Sequence, residues 1–87
     1  LNNDFSNFSE IFDLELENFF KNADISRYSD CLYNFLLRKL EHSLIRKTLS
    51  VVNGNQIKAS RLLGLNRNTL RKKINELNIE IIKKVKN

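Results

Sequence analysis

The chain has 87 residues, 41% of them hydrophobic and 29% charged, with no Pro, no Trp and two Gly. That length supports one small domain with an incompletely buried core, the apolar fraction excludes a disordered tail, and the shortage of turn formers favours helices over hairpins. The net charge of +5 is segregated: residues 1–54 hold six basic and eight acidic side chains, residues 55–87 nine basic and two acidic, as expected of a chain whose C-terminal third meets a polyanion.

No apolar run approaches the ~18 residues of a membrane span, and Leu1-Asn2-Asn3-Asp4 lacks the basic and apolar regions of a signal peptide. Cys31 is the sole cysteine, so no internal disulfide is expected and a reducing cytoplasm fits. The first residue is not Met, so a piece of a longer protein and a free-standing chain are both compatible with the sequence.

In chain order, residues 1–8 read as a loosely packed lead-in. Ser9 is the expected N-cap of a first helix running to about Ala23, with Phe12, Leu16, Phe19 and Ala23 at helical spacing and Glu10, Asp13, Glu15 and Glu17 towards its favourable N-terminal end. Asn22 to Ser29 reads as a connector. A second helix is expected from about Asp30 to Asn53, roughly 36 Å long at the standard rise. Tyr33, Leu37, Leu40, Leu44 and Val51 form one apolar face of it; Leu32, Leu36, Ile45, Leu49 and Val52 populate others. A helix apolar around so much of its circumference needs burial on several sides, which so short a chain cannot supply alone. A homodimer with a four-helix core is the economical solution, with Phe12, Leu16, Phe19, Leu36, Leu37, Leu40 and Leu44 as its expected interface.

Gly54 is the expected C′ residue of the second helix. Asn55 should cap a short third helix, Gln56 to Leu63, and Gly64 should stop it; Leu65 anchors the turn and Asn66 should cap a fourth helix from Arg67 to about Leu77. The expected architecture is therefore all-α with four helices. Two short helices around a tight Gly-containing turn are the helix-turn-helix pattern. Ser60 is small where the helices cross, Leu70 is the apolar plug, and Leu62, Leu63, Leu65, Ile74 and Leu77 are expected to complete the core. The domain reading is 1–53 for lead-in and dimerisation helices, 54–78 for the helix-turn-helix, and 79–87 for a basic tail.

The outer face of the fourth helix shows Arg67, Asn68, Arg71, Lys72 and Asn75. An Arg fork matches guanine O6 and N7, and Asn reads adenine or holds phosphate. The N-terminal end of a recognition helix reaches base edges first, which assigns base reading to Arg67, Asn66 and Asn68. Asn55, Thr69, Arg71, Lys72 and Lys73 are assigned to phosphates, aided by the N–H groups of both helix starts. A lone triplet such as Arg71-Lys72-Lys73 is usually a solvated face; the turn spacing, the caps and the charge segregation reverse that reading.

The stretch Gly54-Asn55-Gln56-Ile57-Lys58-Ala59-Ser60-Arg61-Leu62-Leu63-Gly64-Leu65-Asn66-Arg67-Asn68-Thr69-Leu70-Arg71-Lys72-Lys73 strongly resembles the Fis-type helix-turn-helix family. That family takes in free-standing Fis-like proteins and the C-terminal domains of nitrogen-regulatory (NtrC-type) enhancer-binding activators. The resemblance extends upstream more weakly, through Leu16-Glu17-Asn18-Phe19-Phe20 and Leu32-Tyr33 to Leu40-Glu41. It implies a homodimer that places one helix-turn-helix in each of two successive major grooves of an inverted-repeat site on bent double-stranded DNA, in transcription regulation. It also implies guanine reading by Arg67, backbone contacts by Asn55, Thr69, Arg71 and Lys72, and a cytoplasmic, nucleoid-associated protein. A parent of the bacterial response-regulator type would add a receiver and an ATPase, and through them RNA polymerase as a partner. Three departures stand out: Ser43 where relatives usually have Pro, which implies a straighter second helix; Ala59-Ser60 where they have an Ala pair; and too few residues before the first helix for the hairpin arms with which Fis contacts recombinases. The extension past Leu77 is more similar to NtrC-type C-termini.

His42 has no second ligand near it in sequence, so a metal is not expected. Cys31 is expected to be buried as a small hydrophobe. Phe12, Phe19, Phe20 and Phe35 are expected in a core rather than in a base-stacking platform. Asp13, Glu15 and Glu17 stand beside no nucleophile, so no catalysis and no cofactor are expected. A second reading, of another class, is an oligomerisation or adaptor domain whose basic end docks an acidic protein or an anionic membrane, with Ile81-Ile82-Lys83-Lys84-Val85 as its motif.

Overall fold

A computed structural model describes residues 2–81, with side chains from residue 7 onwards. Its order is α1 (Asn2–Asn22), a 3-10 turn (Ile25–Tyr28), α2 (Leu32–Val51), α3 (Gln56–Leu63) and α4 (Arg67–Glu76), with no strand among the described residues. The all-α, four-helix expectation holds. The chain divides into two compact units, Leu1–Leu32 and Tyr33–Asn87.

In the first unit, α1 begins at Asn2, well before the expected Ser9. No Gly or Pro interrupts residues 1–22, and Phe8 stacks on Phe12 one turn later, with centroids 6.0 Å apart, so the helix continues through Ser9. It ends at Asn22. Asp24 then caps the 3-10 turn, its carboxylate accepting from the Ser26 amide and hydroxyl, the latter at 2.6 Å. Phe19 packs on Tyr28 at 5.4 Å and is half-buried, whereas Phe12 and Phe20 are each half exposed. Cys31 is exposed, contrary to expectation; it precedes α2 directly after Asp30, whose φ of 68° turns the chain at the surface.

α2, which belongs to the second unit from Tyr33 onwards, runs unbroken from Leu32 to Val51, about 30 Å and slightly shorter than expected at each end. Its stop is a Schellman motif: the Gly54 N–H donates to Leu49 O at 2.8 Å and the Asn53 N–H to Ser50 O at 3.1 Å. The C′ residue is thus Asn53, at φ 55°, rather than Gly54, which follows at φ 80°.

The core gathers Ile45 and Leu49 from α2, Ala59 from α3, Leu70 and Ile74 from α4, and Ile79 beyond it. Val52, Leu63, Leu65, Leu77 and Ile81 pack against this cluster. Leu62, expected in the core, is 66% exposed: Ala59 and Ser60 occupy the contact face of α3, which turns Leu62 to solvent. Ile79, assigned by sequence to the tail, is a core residue at 6% exposure. Of that tail, Ile82 to Asn87 lie outside the described residues.

Candidate nucleic-acid interface

Asn55 starts α3, its side-chain oxygen accepting from the Lys58 amide at 3.1 Å. Ala59 and Ser60, both buried, let α4 approach closely, and the Ser60 hydroxyl donates to Ile57 O at 2.8 Å. Burying Ser60 therefore leaves no unpaired hydroxyl hydrogen. Gly64 ends α3 at φ 71°, with Leu65 N–H bonded to Ser60 O at 2.9 Å and Gly64 N–H to Arg61 O at 3.3 Å. Asn66 then caps α4, accepting from the Asn68 amide at 2.8 Å. Each of these roles matches its sequence expectation.

Leu70, with 0% exposure, pins α4 from below, and Ile74 follows one turn later. Away from them Asn68, Thr69, Arg71, Lys72 and Asn75 are exposed along α4, and Arg67 is exposed at its first residue, as are Asn55 and Asn66 before it. At 3.6 residues per turn, Arg71, Asn75, Asn68 and Lys72 share an arc of about 100°, and Arg67 and Thr69 lie about 40° and 60° beyond its two edges. The helix thus presents a face with a shoulder on each side, which suits an element lying between two lines of phosphates. Its positive dipole end carries Asn66, Arg67 and Asn68.

Lys73 stands apart from the other assigned phosphate contacts. Its ammonium lies 2.7 Å from a Glu41 carboxylate oxygen, and both side chains are less than one third exposed. One turn further along α4, Arg38 donates to the Glu76 carbonyl at 3.3 Å, a cation on the negative end of the helix. Glu41 and Arg38 have no role assigned from sequence alone. A signal was present: Glu41 is the sole acidic residue between Asp30 and Glu76.

Leu37, Leu40 and Leu44 of the assigned dimer interface are exposed on α2, at 38%, 48% and 50%, while Leu36 is half-buried. With Tyr33 and Val51 the three leucines make one open stripe, and Ile45, Leu49 and Val52 turn towards the core of their own unit. On α1, Phe12 and Leu16 are exposed and Phe19 is half-buried. Among the described residues no cluster of three or more His, Cys, Asp or Glu side chains could hold a metal, and no helix is long and apolar enough to cross a membrane.

The arrangement defines a helix-turn-helix unit with a basic second helix. The family model described as "Bacterial regulatory protein, Fis family" matches residues 36–77. The chain is similar to the DNA-binding transcriptional regulator NtrC of Azospirillum brasilense, at 55% identity over 67% of this chain and 12% of that protein. It is similar to a Fis-like DNA-binding protein of Neisseria meningitidis, at 45% identity over 68% of this chain and 73% of that protein. The DNA-binding protein Fis of Buchnera aphidicola is 41% identical over 68% of this chain and 60% of its own length. No solved structure matches. The chain belongs to the Fis family of bacterial regulatory proteins. It spans about a tenth of the length of the NtrC relatives it matches.

Proposed function

We propose that this chain binds double-stranded DNA sequence-specifically in transcription regulation, as a homodimer that lays α4 of each copy in a major groove. The observation that carries this reading is the outer face of α4, where exposed Asn, Arg and Lys side chains stand on a helix pinned by Leu70 behind a tight glycine turn. Two further facts support it: the +7 charge of residues 55–87 and the names of its Fis-family relatives. Arg67, Asn66 and Asn68 read bases; because Asn66 uses its side-chain oxygen as a cap, its NH2 group is what remains for a base or phosphate. Asn55, Thr69, Arg71 and Lys72 hold the backbone. Lys73 leaves that set, since its ammonium already has a carboxylate partner.

Dimerisation is supported by the open stripe on α2 and the uncovered aromatics of α1, and a palindromic site requires two copies. Catalysis, metal and cofactor have no part in the proposal. It places the protein in the cytoplasm, on the nucleoid; in a longer parent, RNA polymerase would be engaged by other domains. The adaptor reading keeps less support, because Ile81 packs on the core and the rest of its motif lies outside the described residues.

The test is selection of duplexes from a random pool by the full chain and by Arg67→Ala. The parent should select a two-fold-symmetric site. Arg67→Ala should relax one guanine per half-site, at about 1–3 kcal/mol per contact. An unchanged preference in Arg67→Ala would remove Arg67 from base reading.

A further inference from the structure

Between Asp30 and Glu76 the chain carries ten Lys and Arg residues and a single carboxylate, Glu41. On a unit that approaches phosphates a carboxylate is repulsive unless it is neutralised. Glu41 is neutralised internally, 2.7 Å from the Lys73 ammonium, in a pair that joins α2 to α4 across 32 positions. One turn earlier on α2, Arg38 donates to the carbonyl of Glu76, one turn later on α4. Two directional contacts from one stretch of α2 therefore grip the last turn and a half of α4. The apolar contacts of Leu70 and Ile74 hold α4 onto the core, but such contacts are non-directional. The short ammonium–carboxylate bond and the guanidinium on the terminal carbonyl tie α4 to two named positions on α2, and two tie points restrict its roll.

We infer that Glu41 is a positioning residue of the DNA interface. Through Lys73 it sets the roll of α4, and so the direction in which Arg67, Asn68 and Arg71 reach; it also keeps Lys73 off the phosphates. Base reading demands placement within about 0.5 Å and 10–20°, so loss of this restraint acts on sequence preference more than on total affinity. The inference rests on the DNA-binding reading above.

The experiment compares the full chain with Glu41→Gln on a selected duplex and on random-sequence duplex across a salt series, with thermal melting recorded alongside. In Glu41→Gln, Lys73 becomes available to phosphate. Random duplex should be bound as well or better, and the slope of log K against log salt should steepen by about 0.9 per subunit. The preference for the selected duplex should fall about three- to tenfold. Lys73→Gln should lose preference similarly without the steeper slope, and it carries the test if Glu41→Gln does not fold. The exchanged pair, Glu41→Lys with Lys73→Glu, should regain most of the preference.

A pair that merely holds the fold together would move the melting temperature and leave preference and slope at parental values; that result would overturn the inference. So would a folded exchange variant with no regained preference. A parent chain showing no preference for duplex DNA would overturn the DNA-binding reading itself, and this inference with it.

Discussion

Arg67 and Lys73 carry the same charge six residues apart on α4, and their surroundings give them different work. Arg67 stands exposed at the helix start, beside the capped N-terminus; Lys73 is turned against α2 and bonded to Glu41. Charge runs look uniform in sequence, so Arg71-Lys72-Lys73 reads as one basic patch, whereas successive helical residues point about 100° apart. Arg71 and Lys72, both exposed on the outer face, are the members of the run that meet phosphate in the proposed complex. Lys72→Ala should weaken binding to all duplexes alike and reduce the salt slope by about one per subunit. A salt series on random and selected duplexes checks this, and a loss confined to one sequence would make Lys72 a base reader instead.

The helices of the second unit end in one way. At Asn53, Gly64 and Asn78 the chain takes a left-handed residue, at φ 55°, 71° and 54°, and the following N–H reaches back five residues, to Leu49, Ser60 and Ile74. After Gly64 and Asn78 the next side chain, Leu65 or Ile79, folds onto the core, so the stop signal also positions an apolar residue. Sequence made the Gly64 stop legible because a tight turn before a capping Asn has few other readings. It misplaced the first stop by one residue, because Gly54 masked the capacity of Asn53 for the same conformation. It missed Ile79, because a tail rich in lysine hides one apolar residue placed by a turn. The plug at Leu70, both Asn caps and the buried small pair at Ala59 and Ser60 were legible because each follows from local spacing. The Glu41–Lys73 pair was not, since it depends on how α2 meets α4. A Cβ on Gly64 would meet nothing within 4 Å, so substitution there costs only backbone strain. Gly64→Ala should lower stability by about 1 kcal/mol, and Gly64→Asn by less. Chemical denaturation measures both; equal losses would mean that the turn geometry is not what this position demands.

In the second unit, six buried apolar residues among those described sit beneath an α2 that carries a second apolar stripe in the open. Sequence periodicity showed that α2 is apolar on more than one side, and the burial pattern separates the sides: Ile45 and Leu49 inward, Leu37, Leu40 and Leu44 outward. In the proposed dimer the outward stripe is covered by the second copy. Leu40→Glu should therefore convert the dimer to monomer in sedimentation equilibrium and weaken binding to an inverted repeat far more than to a half-site. A parent chain already monomeric at the concentrations at which it binds DNA would exclude this assembly.

In the proposed complex a folded face, rather than net positive charge alone, meets DNA. The most direct test is the competition of heparin, anionic vesicles and random duplex against a selected inverted-repeat duplex bound to the full chain. The complex with the selected duplex should survive polyanion in excess, and its log K should fall with log salt at a slope of about −0.9 per phosphate neutralised. Displacement by heparin or vesicles as readily as by the selected duplex itself would contradict it.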